Sequence, residues 1–259
     1  MWQQLPADVR PMVGRTSGVY GRYPSRLKDT VRSPAGLLTG FEHCPAELRP
    51  LSLNNYRPIS ILCCLSKVLE RLIHKQLVQH LNCNNIITLD QSGFRPKHST
   101  STALIKVTDE WLIDLDDGKY TGAVFVDLQK AFDMVNIQCL LEKLKRVGIK
   151  ETNLNWFHSY LSDRKIVTCI HNCNSEELPI RQGVPQGSIL GPLLFIIFIN
   201  DLPTIFKSCN IHLYADDTVI YFSHKDPHVV QSTLNRELLI LDRWMNLNRL
   251  KNNVHAFWK

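Results

Sequence analysis

The stretch Ile211–Phe222 limits the folds open to this chain more than any other. Ile211, His212, Leu213 and Tyr214 lead to Ala215-Asp216-Asp217, and Thr218, Val219, Ile220, Tyr221 and Phe222 follow. β-branched and aromatic residues on both sides of a short polar break predict two strands joined by a tight turn. Successive side chains of an extended strand point to opposite faces, so a turn is one of the few places where neighbouring acids can approach one ligand. Crowding them is unfavourable unless a cation or hydrogen-bond donors compensate. Taken alone, an Asp-Asp pair is most often only a polar turn.

A second acid changes the weighting. Tyr120–Val126 predicts a strand that becomes wholly apolar and delivers Asp127 at its carboxyl edge. An unpaired carboxylate beside a buried strand is costly, although an Asp there can also cap the next turn. Three carboxylates brought together by neighbouring antiparallel strands would select a hard divalent cation, Mg²⁺ or Mn²⁺, and imply phosphoryl or nucleotidyl transfer.

The intervening sequence is mostly helical. Leu62, Leu65, Leu69, Leu72, Ile73, Leu77 and Leu81 recur at three- and four-residue intervals and predict one buried helix face, with Lys67, Arg71, His74 and Lys75 largely opposite. Ser99 or Thr100 is placed to cap a helix through Ala103, Leu104, Val107, Trp111 and Leu115, ended by Gly118. Further helices are expected around Leu140–Val147, Trp156–Leu161, from near Ile189, and over Pro227–Asn248. Lys165–His171 and Glu177–Arg181 predict a hairpin. Gly183-Val184-Pro185-Gln186-Gly187-Ser188 is a glycine-rich loop that feeds a helix, a form able to approach a phosphate or base closely.

A net charge of +6 permits a polyanionic partner without demanding one. The eight cysteines fall mostly in apolar runs and read as small buried hydrophobes; Cys169 and Cys173 flank His171, but no second pair at zinc-site spacing follows. No secretory signal is visible, and Ile189–Ile199 is too short to span a bilayer, so an intracellular, reducing location is expected.

These residues also carry a family resemblance. Tyr214-Ala215-Asp216-Asp217 resembles the catalytic hairpin of reverse transcriptases. Val126-Asp127-Leu128-Gln129-Lys130-Ala131-Phe132-Asp133 resembles their first palm motif in its non-LTR retrotransposon form. Gly183–Pro192 with Leu193-Leu194-Phe195 and Asn200-Asp201-Leu202 is similar to the adjoining motif, and Asn55–Ser60 and Gln91–Thr100 to the upstream fingers motifs, in the same order. The flavour is that of jockey-like elements.

The resemblance implies an α+β right-hand polymerase with palm and fingers that extends a DNA primer on an RNA template, using deoxynucleoside triphosphates. It implies metal-holding roles for Asp127, Asp216 and Asp217 with Mg²⁺, or Mn²⁺ in its place. Phe132 takes the sugar-gate position, Gln186 and Gly187 line the nucleotide and template, Arg57 meets the triphosphate, and Gly93, Phe94 and Arg95 border the template. The family also implies a nuclear location and no membrane.

The expected divisions are an unrelated, poorly ordered leader over 1–50, fingers over 51–118, the first Asp motif of the palm over 119–136, a connection over 137–180, and the remaining palm over 181–259. Where the family continues with a Lys-Thr pair and further strands, this chain reads Asn253-Val254-His255-Ala256, so a truncated domain with the thumb absent is expected. Two other readings stay open. One is a catalytically inactive retroelement remnant that at most binds nucleic acid, and the other is a maturase-like protein sharing the acidic triad.

Overall fold

The computed structural model describes residues 17–20, 59–128, 130–170, 173–250 and 252–253. A four-stranded antiparallel sheet organises them: β3 (Tyr120–Leu128), β7 (Asn210–Tyr214), β8 (Asp217–His224) and β9 (Asn252–Asn253), in the order β7-β8-β3-β9. A second, smaller sheet holds β1 (Ser17–Tyr20), β2 (Ser60–Ile61), β4 (Lys165–Ile170), β5 (Cys173–Asn174) and β6 (Leu178–Pro179). There β4 pairs with both β5 and β6, which is the expected hairpin in shorter strands; His171 lies outside the described residues.

The large sheet separates two environments. Val124, Val126, Leu128, Ile211, Leu213 and Ile220 face the main core. α4 (Ile137–Arg146), α5 (Glu151–Leu161), α6 (Gly191–Ile199) and α7 (Pro227–Leu247) contribute to that core. Every residue of α6 from Leu193 to Ile199 is buried, so this helix needs apolar side chains all round rather than one stripe. On the opposite face α2 (Thr100–Asp116), capped by Ser99 with a reciprocal bond from Thr102, lays Val107 and Trp111 on Val219, Tyr221 and Ala123. The Tyr221 hydroxyl donates to Glu110, which fixes the helix over that half of the sheet.

Two sequence expectations change. In α1 (Cys64–Cys83) the buried face is Ser66, Glu70, Ile73, Leu77 and Leu81, whereas Leu65 and Leu72 are 66% and 57% exposed. The helix is rotated because Glu70 is required inside. Its carboxylate accepts from the Ile189 N–H at 2.6 Å, the Leu190 N–H at 3.4 Å and the Tyr160 hydroxyl at 3.0 Å. It thereby satisfies donors at the entry to α6 that would otherwise be orphaned. Burial, with the Glu70 charge beside it, pushes the Tyr160 hydroxyl pKa up and keeps it a donor.

The cysteines also differ from expectation. Cys63, Cys64, Cys83 and Cys173 are exposed, Cys139 and Cys169 are half-buried, and Cys209 is the buried one among the described residues, while Cys44 lies outside them. The exposed thiols sit at element ends and in the β4–β5 hairpin, where an apolar neighbourhood in sequence does not reach the core.

Replacing Glu70 with Ala leaves buried N–H and O–H donors unpaired and is expected to cost roughly 3 kcal/mol. Urea unfolding of Glu70→Ala beside the parent checks this; a loss under about 0.5 kcal/mol, typical of a surface substitution, contradicts it.

Candidate active site

β3 runs two residues beyond the expected Val126, so Asp127 lies within the strand and not after it. The extension pairs Asp127 with Asp217 across the antiparallel β3–β8 ladder. Directly opposed residues project from the same face with Cβ atoms about 5 Å apart. Asp217 is the first residue of β8, and the turn itself is Ala215-Asp216, closed by the Tyr214–Asp217 pair. Two acids therefore face each other across neighbouring strands, and the third stands beside them on the turn.

Asp127 and Asp217 are exposed and Asp216 is half-buried. They share their face with Phe125, which is 53% exposed although its cross-strand partner Val219 is covered by α2. As placed, no group of three or more His, Cys, Asp or Glu among the described residues converges closely enough to hold a metal ion.

The turn is clamped from one side by the loop preceding α2. The Leu213 N–H donates to the Asp90 carbonyl and the Ser92 N–H to the Leu213 carbonyl, each at 2.8 Å, so Gln91 bridges the edge of β7. Oε1 of Gln91 accepts from the Gly93 N–H at 2.6 Å and the Ala215 N–H at 3.0 Å. Gly93 is buried against the turn, and a Cβ there would lie 2.2 Å from the Ala215 nitrogen, so only glycine fits. Phe94 is 56% exposed, while Arg95 donates to the carbonyls of Thr88 and Gln91 at 3.0 Å and braces the loop. Of the three residues expected at the template, Phe94 is the one with an open face.

The glycine-rich loop is held from two directions. The Val184 N–H donates to the Phe132 carbonyl at 2.8 Å and the Gly183 N–H to the Val135 carbonyl at 2.7 Å, while Arg164 donates to Gly183 O. On the other side the Ser60 N–H donates to the Gln186 carbonyl at 2.8 Å. Gly187, at φ +96°, would place a Cβ 2.9 Å from Ser60 O.

Phe132 stacks on Phe195 with centroids 4.6 Å apart and meets the edge of Phe94 at 6.2 Å. The Phe132 segment, the Phe94 loop and the Gln186-Gly187 loop thus adjoin one another through named contacts. Arg57, with Asn55–Pro58, lies outside the described residues, as does Gln129.

Asn200 and Asp201, which carry the resemblance without an assigned role, prove to be structural. Asn200 receives the Thr88 N–H and donates to the Ile86 carbonyl, which ties the clamp loop to the end of α6. Asp201 pairs with Lys143 at 2.7 Å; that lysine also donates to Phe198 O and lies over the Phe198 and Trp244 rings. Burial holds the Lys143 pKa below the usual lysine value against the pull of Asp201. Asn200-Asp201 is therefore a structural brace behind the site.

His212 pairs with Val219 in the row beside the acids, is buried, and has neither ring nitrogen partnered among the described residues. Its burial lowers its pKa from 6.5; Lys106 and His98 lower it further, and Asp90 and Glu110 oppose them.

Residues 47–255 match the family model described as reverse transcriptase (RNA-dependent DNA polymerase). The chain is 36% identical over 209 residues to the probable RNA-directed DNA polymerase from transposon BS of Drosophila melanogaster, covering 78% of this chain and 23% of that protein. It is 34% identical over 202 residues to the RNA-directed DNA polymerase from mobile element jockey of the same organism, covering 75% and 22%. The chain thus spans less than a quarter of the length of these relatives. Among solved structures, the apo telomerase from Candida tropicalis truncated from its C-terminal domain is similar with a TM-score of 0.56 at 12% identity, over 78% of this chain and 48% of that one, a likeness of fold alone.

Because folded His212 stays neutral below its ordinary pKa, the unfolded chain takes up a proton first as pH falls, and stability drops. Thermal unfolding between about pH 7 and 5 is expected to show a decline that is shallower in His212→Leu. Equal declines in the two proteins contradict the assignment.

Proposed function

The chain belongs to the reverse transcriptase (RNA-dependent DNA polymerase) family, and on that premise we propose that it is the domain of a non-LTR retrotransposon protein that extends a DNA primer on an RNA template. The observation that carries this reading is the pairing of Asp127 with Asp217 beside the Asp216 turn. A like-charged pair set directly across two strands is destabilising by itself, and it is intelligible as half of a cation site.

The donors suit Mg²⁺ or Mn²⁺. All are carboxylate oxygens, and Asp127 and Asp217 stand on an exposed part of the sheet where a hydrated ion could reach them. When bound, two such ions would activate the attacking 3′-hydroxyl of the primer and stabilise the leaving phosphate oxygen. Asp127 and Asp216 are the proposed principal ligands, with Asp217 adding charge beside them.

The remaining roles belong to the walls. Phe132, held flat against Phe195, presents a ring edge where an incoming sugar would lie and excludes a 2′-hydroxyl. Gln186 and Gly187 line the nucleotide and the template base, and the missing side chain of Gly187 lets the loop pack against Ser60 O behind them. Phe94 offers its exposed ring to the template, while Gly93 and Arg95 hold the loop that presents it. Arg57 is proposed to meet the triphosphate. A nuclear location follows from the resemblance alone, and no helix among the described residues is long and apolar enough to cross a membrane.

Primer extension on poly(rA)/oligo(dT) with Mg²⁺ or Mn²⁺ tests the reading. The chain is expected to add deoxynucleotides, and Asp216→Asn to lose on the order of a hundredfold or more. Absence of metal-dependent extension by the parent would sink the enzyme reading and leave the inactive remnant. Phe132→Ala is expected to raise ribonucleotide use relative to deoxynucleotide use by about tenfold or more, and an unchanged ratio removes the gate from Phe132.

A further inference from the structure

The turn that carries Asp216 contains a conformation that needs holding. Ala215 adopts φ +56°, a left-handed backbone that costs an L-residue roughly 1–2 kcal/mol. Such a residue persists where its surroundings over-determine it. Around Ala215 they do so through one side chain. Gln91 is 1% exposed, and its Oε1 receives the N–H groups of both Gly93 and Ala215.

The backbone on each side of Gln91 is itself fixed to β7 through Asp90 O and the Ser92 N–H. Arg95 then ties the loop back to Thr88 and Gln91, and Asn200 anchors Thr88 to the end of α6. This continuous set of bonds runs from the core to the acidic turn.

The choice of an amide also has a reason. Both groups facing Oε1 are donors, so the side chain must supply an acceptor, and its Nε2 is left without a partner among the described residues. A carboxylate would avoid that orphan donor but would add a further negative charge beside Asp216 and Asp217. Glutamine accepts both bonds without the charge.

We infer that Gln91 is a positioning residue that sets the Ala215-Asp216 turn against Asp127, and that the loop presenting Phe94 and the acidic turn form one unit through it. The inference rests on the polymerase reading for its purpose but not for its geometry. Gln91 is not proposed to touch substrate or metal. By fixing the turn it fixes where the Asp216 and Asp217 carboxylates stand. Phe94, three residues on, contacts Phe132, so displacement of the loop is transmitted to both sides of the site.

The test uses the full chain with Gln91→Leu, which removes the acceptor, and Gln91→Glu, which keeps it. Amide hydrogen exchange at Ala215 is expected to speed up about tenfold in Gln91→Leu, the loss of one net hydrogen bond, while Val126 and Val219 in the β3–β8 ladder stay protected. Mn²⁺ affinity, read by electron paramagnetic resonance of the free ion, is expected to weaken 10–100-fold, the usual effect of losing a group that orients a ligand. Gln91→Glu should restore Ala215 protection. Unchanged exchange at Ala215 in Gln91→Leu overturns the clamp, and faster exchange with unchanged Mn²⁺ affinity overturns the positioning role. A parent chain that binds no Mn²⁺ instead overturns the polymerase reading, an outcome distinct from parent and Gln91→Leu binding equally.

Discussion

The register between β3 and β8 is the constraint from which the site follows. Eight consecutive pairs run from Tyr120 opposite His224 to Asp127 opposite Asp217, and the last of them sets two carboxylates face to face. A slip of one residue would carry Val124, Val126 and Leu128 from the main core to the other face and Asp127 into the core. The apolar alternation that buries the sheet therefore also fixes the acids, and the repulsion between them is outweighed by the packing beneath. The same alternation leaves Phe125 and both acids exposed on one face.

Buried polar side chains then fasten the loops to this frame. Glu70 receives the first free N–H groups at the entry to α6 and thereby sets the end of the glycine-rich loop. Asn200 holds the segment leading to Gln91, and Lys143 joins α4 to the end of α6 through Asp201 and Phe198. Each replaces water at groups whose desolvation would otherwise be costly. None is drawn from the acidic motifs, yet the walls of the site depend on them.

What could be read from sequence, and what could not, follows from range. Strand and helix periodicities are local, so α2, α4, α5, α7 and the β7–β8 hairpin lie close to their expected positions. The short α3 (Ala131–Met134), which carries Phe132, has too few residues for a period and was not expected. The buried face of α1 departs from its leucine periodicity because the demand for Glu70 comes from Ile189, far along the chain. The extra pairing of Asp127 within β3 depends on its partner in β8 in the same way. The family motifs single out Asp127, Asp216, Asp217, Phe132, Gln186, Gly187 and Phe94 by the roles they imply. They said nothing of Gln91 as the acceptor at the turn, since a glutamine beside Ser-Gly reads locally as loop polarity.

The three carboxylates at the end of the β3–β8 ladder are proposed to form one divalent-cation site. Anomalous diffraction from crystals of this chain grown with Mn²⁺ tests it most directly. An anomalous peak is expected among Asp127, Asp216 and Asp217, with carboxylate oxygens of Asp127 and Asp216 bonded to the ion. Ordered Mn²⁺ bound elsewhere, with these carboxylates still apart and no peak among them, would contradict it.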